Sequence, residues 1–216
     1  MIKCMGAGVL MMSMSAGGLA QGTPAIGLPP PETVGGMPLM QALKARHSTR
    51  EFADRALPPQ LLSNLLWAAN GVNRPHSGKR TAPSARDWRE IDVYVVTADD
   101  VFRYDPPTHT LQRVAAGDVR ALTGVQDFVA TAPLNLVYVA DLDRMHDADA
   151  EQQARFGAAD AAFIAQNVYL FCASAGLATV VRGLFDPAAL GKALRLGSRQ
   201  RILLAQTVGY PAGARP

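Results

Sequence analysis

Cysteine is scarce: the 216 residues hold two, Cys4 and Cys172, and no Cys-x-x-Cys pair. That composition excludes a zinc ribbon, a dithiol redox motif and a disulfide-stapled scaffold. Aromatic residues make up only 6% of the chain, so no stacking platform stands out. Lys and Arg outnumber Asp and Glu by a formal charge of +3, but they are scattered, without the basic runs or aromatic interleaving of a nucleic-acid face. Also missing are Gly-x-Gly-x-x-Gly after a strand, Gly-x-x-x-x-Gly-Lys-Ser/Thr and Gly-x-Ser-x-Gly. Dinucleotide-fold, nucleoside-triphosphate and hydrolase-elbow readings therefore lose their usual support. The four histidines, His47, His76, His109 and His146, are dispersed without metal-ligand spacing. The acidic cluster Asp141, Asp143, Asp147, Asp149 and Glu151 reads as a solvated loop leading into a helix rather than as a hard-cation site.

What is present is a globular composition, 49% hydrophobic and 18% charged, in a length that fits one ordinary domain. Residues 1–20 read as a secretory signal: Lys3, an apolar Met-rich stretch from Met5 to Met14, then small residues ending in Gly18-Leu19-Ala20. Cleavage after Ala20 is expected, giving a periplasmic or secreted protein. The apolar stretch is too short, and too interrupted by Gly and Ser, to make a stable membrane span. Removing it takes Cys4 away, so no intrachain disulfide is possible. Residues 21–37, with Pro29-Pro30-Pro31 and Gly35-Gly36, form a Pro/Gly-rich connector expected to be an extended linker or arm, and the folded domain runs over 38–216.

Apolar spacing at Leu39, Met40 and Leu43 predicts a helix laid on a core over 38–45, and Leu61, Leu62, Leu65, Leu66 and Ala69 predict a second between Pro58-Pro59 and Asn70-Gly71. A polar loop is expected at 72–82. Strands are expected at Ile91–Val96, Leu134–Val139 and Arg201–Pro211, with a small hairpin at 101–105 and 109–114 about Pro106-Pro107. Helices are expected near 118–131, 151–176 and 187–195. Cys172 falls in an apolar helix with nothing nearby to activate it, which suits a buried structural thiol. The pattern is that of an α+β chain with helices around one sheet.

The chemically richest segment is Arg46-His47-Ser48-Thr49-Arg50, just past the first helix. Two guanidiniums, an imidazole and two hydroxyls in five residues suit a phosphate ester, since arginine gives bidentate contacts to phosphate and a hydroxyl bonds another oxygen. The alternative is a set of solvated cations favouring the negative end of a helix.

Taken with its downstream partners, this segment resembles the FMN-binding signature of the nitroreductase-like flavoprotein family. The resemblance runs through Leu66-Trp67-Ala68-Ala69-Asn70-Gly71, the loop Gly78 to Ala85, Gly183-Leu184-Phe185-Asp186 and the terminal Leu204 to Pro211. It implies a nitroreductase-like fold, a central, mostly antiparallel sheet flanked by helices, and a homodimer with FMN between the subunits. Arg46 and Ser48 would hold the phosphate, His47 would contribute through backbone or ring, and Arg50 would lie beside the pyrimidine edge. Pro83, Ser84 and Ala85 would approach from the partner subunit, and Arg182 and Gly183 would lie against the cofactor, Gly183 exposing backbone to flavin N5. NAD(P)H is the family's usual reductant. No metal and no acid or base side chain is implied, and the substrate would be a small organic acceptor such as a nitroaromatic or quinone.

Two departures stand out. Where the family commonly has Asn and then Gln, this chain has Asp87 and Arg89, and an ionised Asp87 can only accept hydrogen bonds. Asp87 is then expected to pair with Arg86 or Arg89. The chain also stops five residues after Pro211, with only Arg215 in place of a longer basic tail. The alternatives to an FMN-dependent oxidoreductase are a degenerate flavin-binding protein without turnover and an azoline or peptide dehydrogenase.

Overall fold

The computed structural model describes residues 25–213. The expected signal segment, with Cys4, and the tail with Arg215 lie outside the described residues.

Seven strands form one sheet in the order β1-β6-β5-β4-β7-β9-β8, every neighbouring pair antiparallel. They are β1 (Ile26–Gly27), β4 (Ile91–Val96), β5 (Asp100–Asp105), β6 (Thr110–Ala116), β7 (Leu134–Asp141), β8 (Ala178–Arg182) and β9 (Gln200–Gly209). The expected polar loop holds a small separate hairpin, β2 (Val72–Arg74) with β3 (Lys79–Arg80). Helices α1 (Leu39–Ala45), α2 (Pro59–Asn70), α3 (Ala150–Ala175) and α4 (Pro187–Ala193) complete the α+β arrangement.

The two-residue period of the central strands divides the interior into two cores. Ile91, Val93 and Val95 of β4 join Leu136 and Tyr138 of β7, Leu65 and Leu66 of α2 and Ile164 and Val168 of α3 in the larger one. Their sequence neighbours Tyr94, Val96, Val137 and Val139 meet Leu190 and Leu194 on the opposite face. Both faces of β4 and β7 are thus covered, which is why these strands read as nearly continuous apolar runs. Each fully buried aliphatic side chain in these cores contributes roughly 1.5–3 kcal/mol.

α3 starts at a capping box, Asp149 accepting from the Gln152 backbone N–H while the Gln152 side chain answers, and ends at Gly176 with φ 68°, a left-handed position that suits glycine. It is long and apolar enough to cross a membrane by length and composition. Ala161, Ile164, Ala165, Val168 and Cys172 nevertheless belong to the larger core, so its apolar face is already used inside the protein. Cys172 is fully buried, and burial pushes its thiol pKa well up, as befits an inert packing group.

Three expectations need correction. α1 forms where its spacing predicts, but only Ala42 is buried, while Leu39, Met40 and Leu43 are exposed at 62%, 75% and 44%. The small side chain seats the helix and its apolar stripe faces outward. The helix expected near 118–131 is instead two short 3-10 turns, Arg120–Thr123 and Asp127–Val129, broken at Gly124. A Cβ at Gly124 would lie 2.1 Å from Arg182 Nη1, so the chain opens there to admit the arginine. β8 was absent from the sequence reading; it pairs along β9 from Ala178–Gly209 to Arg182–Ala205.

The connector is an arm strapped to the domain. β1 pairs with β6, Gln60 Nε2 donates to Pro30 O at 2.9 Å, and Ser63 Oγ donates to Pro29 O at 2.6 Å. Further along, Glu32 N donates to Asn64 Oδ1 and Met37 N to Ser174 Oγ. Behind Ser63, His109 Nε2 lies 2.7 Å from its hydroxyl and His109 Nδ1 lies 2.8 Å from Tyr104 OH. Ser63 spends its proton on Pro29, so the imidazole donates from Nε2, and in the neutral ring that burial favours Nδ1 accepts from the Tyr104 hydroxyl. Burial lowers the His109 pKa. The stability this arrangement confers is therefore complete above the free imidazole's 6.5 and is lost as pH falls through the lower folded-state value. Replacing His109 with Ala should cost about 1–3 kcal/mol in chemical unfolding at pH 8 and less at pH 5. It should also speed proteolysis within the Pro29–Met37 stretch; equal loss at both pH values would refute the neutral-ring assignment.

Candidate functional site

Beyond α1 the chain runs extended, with Arg46 leaving helical geometry at φ −59° and ψ 119°. Thr49 N donates to Thr179 O of β8 at 3.0 Å, and further on Phe52 bridges Pro211 while Ala53 N donates to Tyr210 O. The Arg46–Arg50 segment is therefore held against the sheet edge rather than swinging freely. Tyr169, on α3, fixes its middle. The phenol oxygen accepts the Val181 backbone N–H at 3.0 Å and lies 2.8 Å from Ser48 Oγ. With Val181 able only to donate, the phenol proton is best placed on Ser48, and the serine hydroxyl proton is then available to a ligand. The Arg46 guanidinium sits 5.3 Å from the Tyr169 ring centroid, within cation–π range. His47 turns back, Nδ1 lying 2.7 Å from Ala45 O, so its ring caps the end of α1. Arg50 is exposed and, like Arg46, makes no ion pair among the described residues.

Gly183 follows β8 on the exposed surface, and a Cβ built there would meet nothing within 4 Å. Arg182 points the other way. It is 5% exposed, with Nη1 donating to Thr123 O at 2.5 Å and Nη2 donating to Asn135 Oδ1 and Thr207 Oγ1, both at 2.8 Å. Among the described residues no carboxylate balances this cation, and burial pulls its pKa down to about 10, so it stays charged at neutral pH. Its side chain stitches β8, β9 and β7 together; only its backbone is left to a cofactor.

Pro83, Ser84 and Asp87 border a cavity of about 280 Å³, whose wall also carries Arg74, Lys79, Arg80 and Arg89. Arg74 donates to Asn73 Oδ1 and Arg80 O, while Arg80 makes no ion pair among the described residues. Burial, then the neighbouring Arg144, lowers the Arg80 pKa. The loop beneath is strained: Arg86, Asp87 and Arg89 have φ of 50°, 59° and 52°, in the left-handed region that non-glycine residues rarely adopt. Of the two arginines expected beside Asp87, Arg89 takes it, with Nε to Oδ1 at 2.8 Å and Nη2 to Oδ2 at 2.6 Å. That bond holds the Asp87 carboxyl below the usual range. Arg86 goes instead to Asp147, which also accepts the Trp88 indole N–H at 2.7 Å.

Under the loop lie two residues that the sequence reading passed over. Asp160 of α3 accepts the Ala85 N–H on Oδ2 at 2.8 Å, and Glu90 Oε2 accepts from Ser84 Oγ at 3.2 Å. Glu90 is fully buried and its Oε1 has no partner among the described residues. Burial, reinforced by the Asp160 charge, pushes the Glu90 pKa up to about 7. A signal existed for Asp160, which shares the helix face of Gly157, Ala161 and Ile164 in an otherwise apolar stretch. Tyr169 and Asp160 are nine residues apart on α3, about 13 Å along its axis at 1.5 Å per residue. Arg46–Arg50 and Pro83–Ala85 thus contact well-separated stretches of α3.

The Glu90 shift carries a stability consequence of definite sign. In the unfolded chain the carboxyl titrates near 4.5 and in the folded one near 7, so the cost of burying it is absent below the first value and complete above the second. Glu90→Gln should therefore gain stability relative to wild type by about 1–3 kcal/mol on going from pH 4.5 to pH 8 in urea unfolding. A difference that does not change with pH would contradict the assignment.

A sequence model of the Nitroreductase family matches residues 43–210. A Methanocaldococcus jannaschii protein carrying a provisional nitroreductase name is 32% identical over 181 residues, 79% of this chain and 90% of that one. A Ralstonia eutropha crystal structure, also provisionally named a nitroreductase, superposes with a TM-score of 0.84 at 47% identity, covering 88% of this chain and 90% of that one. The fold is shared as well by the NADPH:FMN oxidoreductase of Vibrio harveyi, solved in complex with NAD+, at TM-score 0.61 and 20% identity over 82% of this chain and 70% of that one. By its matching segment, its relatives and its antiparallel architecture, this chain belongs to the nitroreductase family.

Proposed function

We propose that the protein is an FMN-dependent oxidoreductase that passes hydride to a small organic acceptor, working as a homodimer with each flavin between two subunits. The observation that carries this reading is the Tyr169–Ser48–Arg46 arrangement. A buried-edge phenol directs a serine hydroxyl outward beside a guanidinium with no acidic partner, a donor set suited to a phosphate monoester. Arg46 and Ser48 would hold the phosphate, Arg50 would lie at the pyrimidine edge, and Gly183 would leave room at N5, since no Cβ intrudes there.

When bound, the flavin supplies the hydride chemistry at N5, and the chain supplies binding and electrostatics. Arg50, exposed and without an acidic partner, would stabilise negative charge at the pyrimidine edge. His47 would contribute its backbone, because its ring is engaged by Ala45 O. The dimer is supported by the outward apolar stripe of Leu39, Met40 and Leu43, and by Phe163 of α3, 46% exposed. It is also supported by the separation of Ser48 from Ser84 along α3, which leaves Pro83–Ala85 to complete the partner's site rather than their own. Export, expected from residues 1–20, would separate the protein from NAD(P)H, so its reductant would be a carrier available outside the cytoplasm. The Asp87–Arg89 pair favours a second reading, a flavin binder without turnover, because it removes an amide-like contact from the pocket.

Visible absorption during FMN titration tests the proposal. Wild type should take up about one FMN per chain, and Arg46→Ala and Ser48→Ala should each weaken binding by roughly 10- to 100-fold, at about 1.5–3 kcal/mol per charged contact, and the double variant by more. Tyr169→Phe, which leaves Ser48 unheld, should weaken it several-fold. A colourless wild-type protein that takes up no FMN at micromolar concentration would defeat the flavin reading. Loaded protein that no acceptor reoxidises would select the non-catalytic alternative.

A further inference from the structure

Ser84 stands between the cavity and a buried acid. Its oxygen accepts the Arg89 backbone N–H at 2.8 Å and lies 3.2 Å from Glu90 Oε2. Behind it, Glu90 is fully buried with Oε1 unpartnered, and Asp160, 3% exposed, gives Oδ2 to Ala85 N–H. Among the described residues no ion pair joins a cation to Glu90 or Asp160. Arg89 binds Asp87, and Arg144 binds Asp92 through two bonds of 2.9 and 3.0 Å and Asp141 through a third contact. The charged groups around Glu90 are Asp160 from α3, Arg144 from the turn after β7, and Arg74, Lys79, Arg80, Asp87 and Arg89 from the cavity wall.

A purely structural acid is a poor account of this arrangement. An amide at position 90 would accept from Ser84 equally well and would avoid two carboxylates side by side in an apolar setting. Glu90, desolvated and beside the Asp160 carboxylate, keeps its proton, because burial and repulsion both oppose its charge. When the proton is on Glu90 Oε2, it faces the Ser84 oxygen, and the Ser84 hydroxyl is then free to point into the cavity.

We propose that Glu90, buried beside Asp160, holds a proton and that the Ser84 hydroxyl relays it from Glu90 Oε2 to an acceptor seated in the cavity, making Glu90 the proton source for the reduction. The inference rests on the oxidoreductase reading above. The balance is that of a quinone-class acceptor. A bound flavin would supply a hydride, two electrons and one proton, to form the new bond, and the displaced π pair would come to rest on the acceptor oxygen. That oxygen takes the Ser84 proton, Ser84 takes the proton of Glu90, and Glu90 is left as carboxylate. Water entering from the open side of the cavity returns one proton per turnover. Glu90 acts here through Ser84, as a positioning and proton-supplying residue.

Two readouts test this on the full chain. The first is an infrared pH titration of the protein without added ligand: a protonated carboxyl band should persist above pH 6 in wild type, vanish through about 7, and be missing in Glu90→Gln. Asp160→Asn should shift its titration. The second is stopped-flow reoxidation of photoreduced, FMN-loaded protein by 1,4-benzoquinone. The wild-type rate should fall about tenfold per pH unit above 7. Glu90→Gln and Ser84→Ala should be roughly 100-fold slower at pH 6 and flat with pH. Should Glu90→Gln not fold, Asp160→Asn and Ser84→Ala carry both arms. No carboxyl band above pH 5 in wild type, or variant rates equal to wild type, would overturn the relay. A chain that takes up no FMN overturns the oxidoreductase reading and the relay with it, and the infrared band then reports on the Glu90 proton alone.

Discussion

The packing of α3 across the antiparallel sheet is the constraint on which the rest depends. A helix buried along one face must carry apolar side chains there, and any polar group on that face needs a partner or costs several kcal/mol. Of the polar groups that α3 places there, Asp160 and Tyr169 each find a partner in one of the segments that resemble cofactor-binding motifs. Asp160 takes the Ala85 N–H, and Tyr169 takes the Val181 N–H while holding Ser48. The demand for hydrogen-bond satisfaction in the core thus positions both candidate surfaces. It also explains why each lies at a fixed height on the same helix.

Much of this architecture was legible in the residues. β4 follows Ile91–Val96 as the β-branched run suggests, α2 lies between its prolines and Asn70-Gly71, and the hairpin turns at Pro106-Pro107. What was not legible depended on long-range contacts. Leu39, Met40 and Leu43 have the spacing of a core-facing helix, and nothing local reveals that Ala42 is the side chain that seats it. The stretch 118–131 has helical composition, but Arg182, some sixty residues later, needs the space at Gly124. The connector's Pro/Gly content suggested an extended arm, while its anchoring by Ser63 and His109 depends on groups from α2 and the hairpin. Among the candidate site residues, Ser48 and Arg46 could be read from the motif, whereas Tyr169 could not, being 121 residues away from Ser48.

The electrostatics separate the structural charges from the unusual ones. Most exposed ion pairs, such as Arg199–Asp143 and Arg155–Glu151, contribute little. Among the described residues neither Arg182, a buried cation, nor Glu90, a buried acid, makes an ion pair. The first gives its two terminal nitrogens to three neutral acceptors, from the turn at Thr123 and from β7 and β9, and serves the sheet, although its Nε has no partner among the described residues. The second borders a cavity, under a loop with three left-handed non-glycine residues, and keeps one oxygen unpartnered. Strain and incomplete hydrogen bonding concentrated in one place oppose stability, and such features persist where they serve a site.

The central claim is that Arg46–Arg50 of one subunit and Pro83–Ala85 of another enclose a flavin. Sedimentation velocity of the FMN-treated protein, recorded at both the flavin and the protein absorbance, tests it most directly. The account predicts a single boundary at twice the chain mass carrying one flavin per chain. Flavin travelling with a single-chain species, or a two-chain species that carries none, would contradict it.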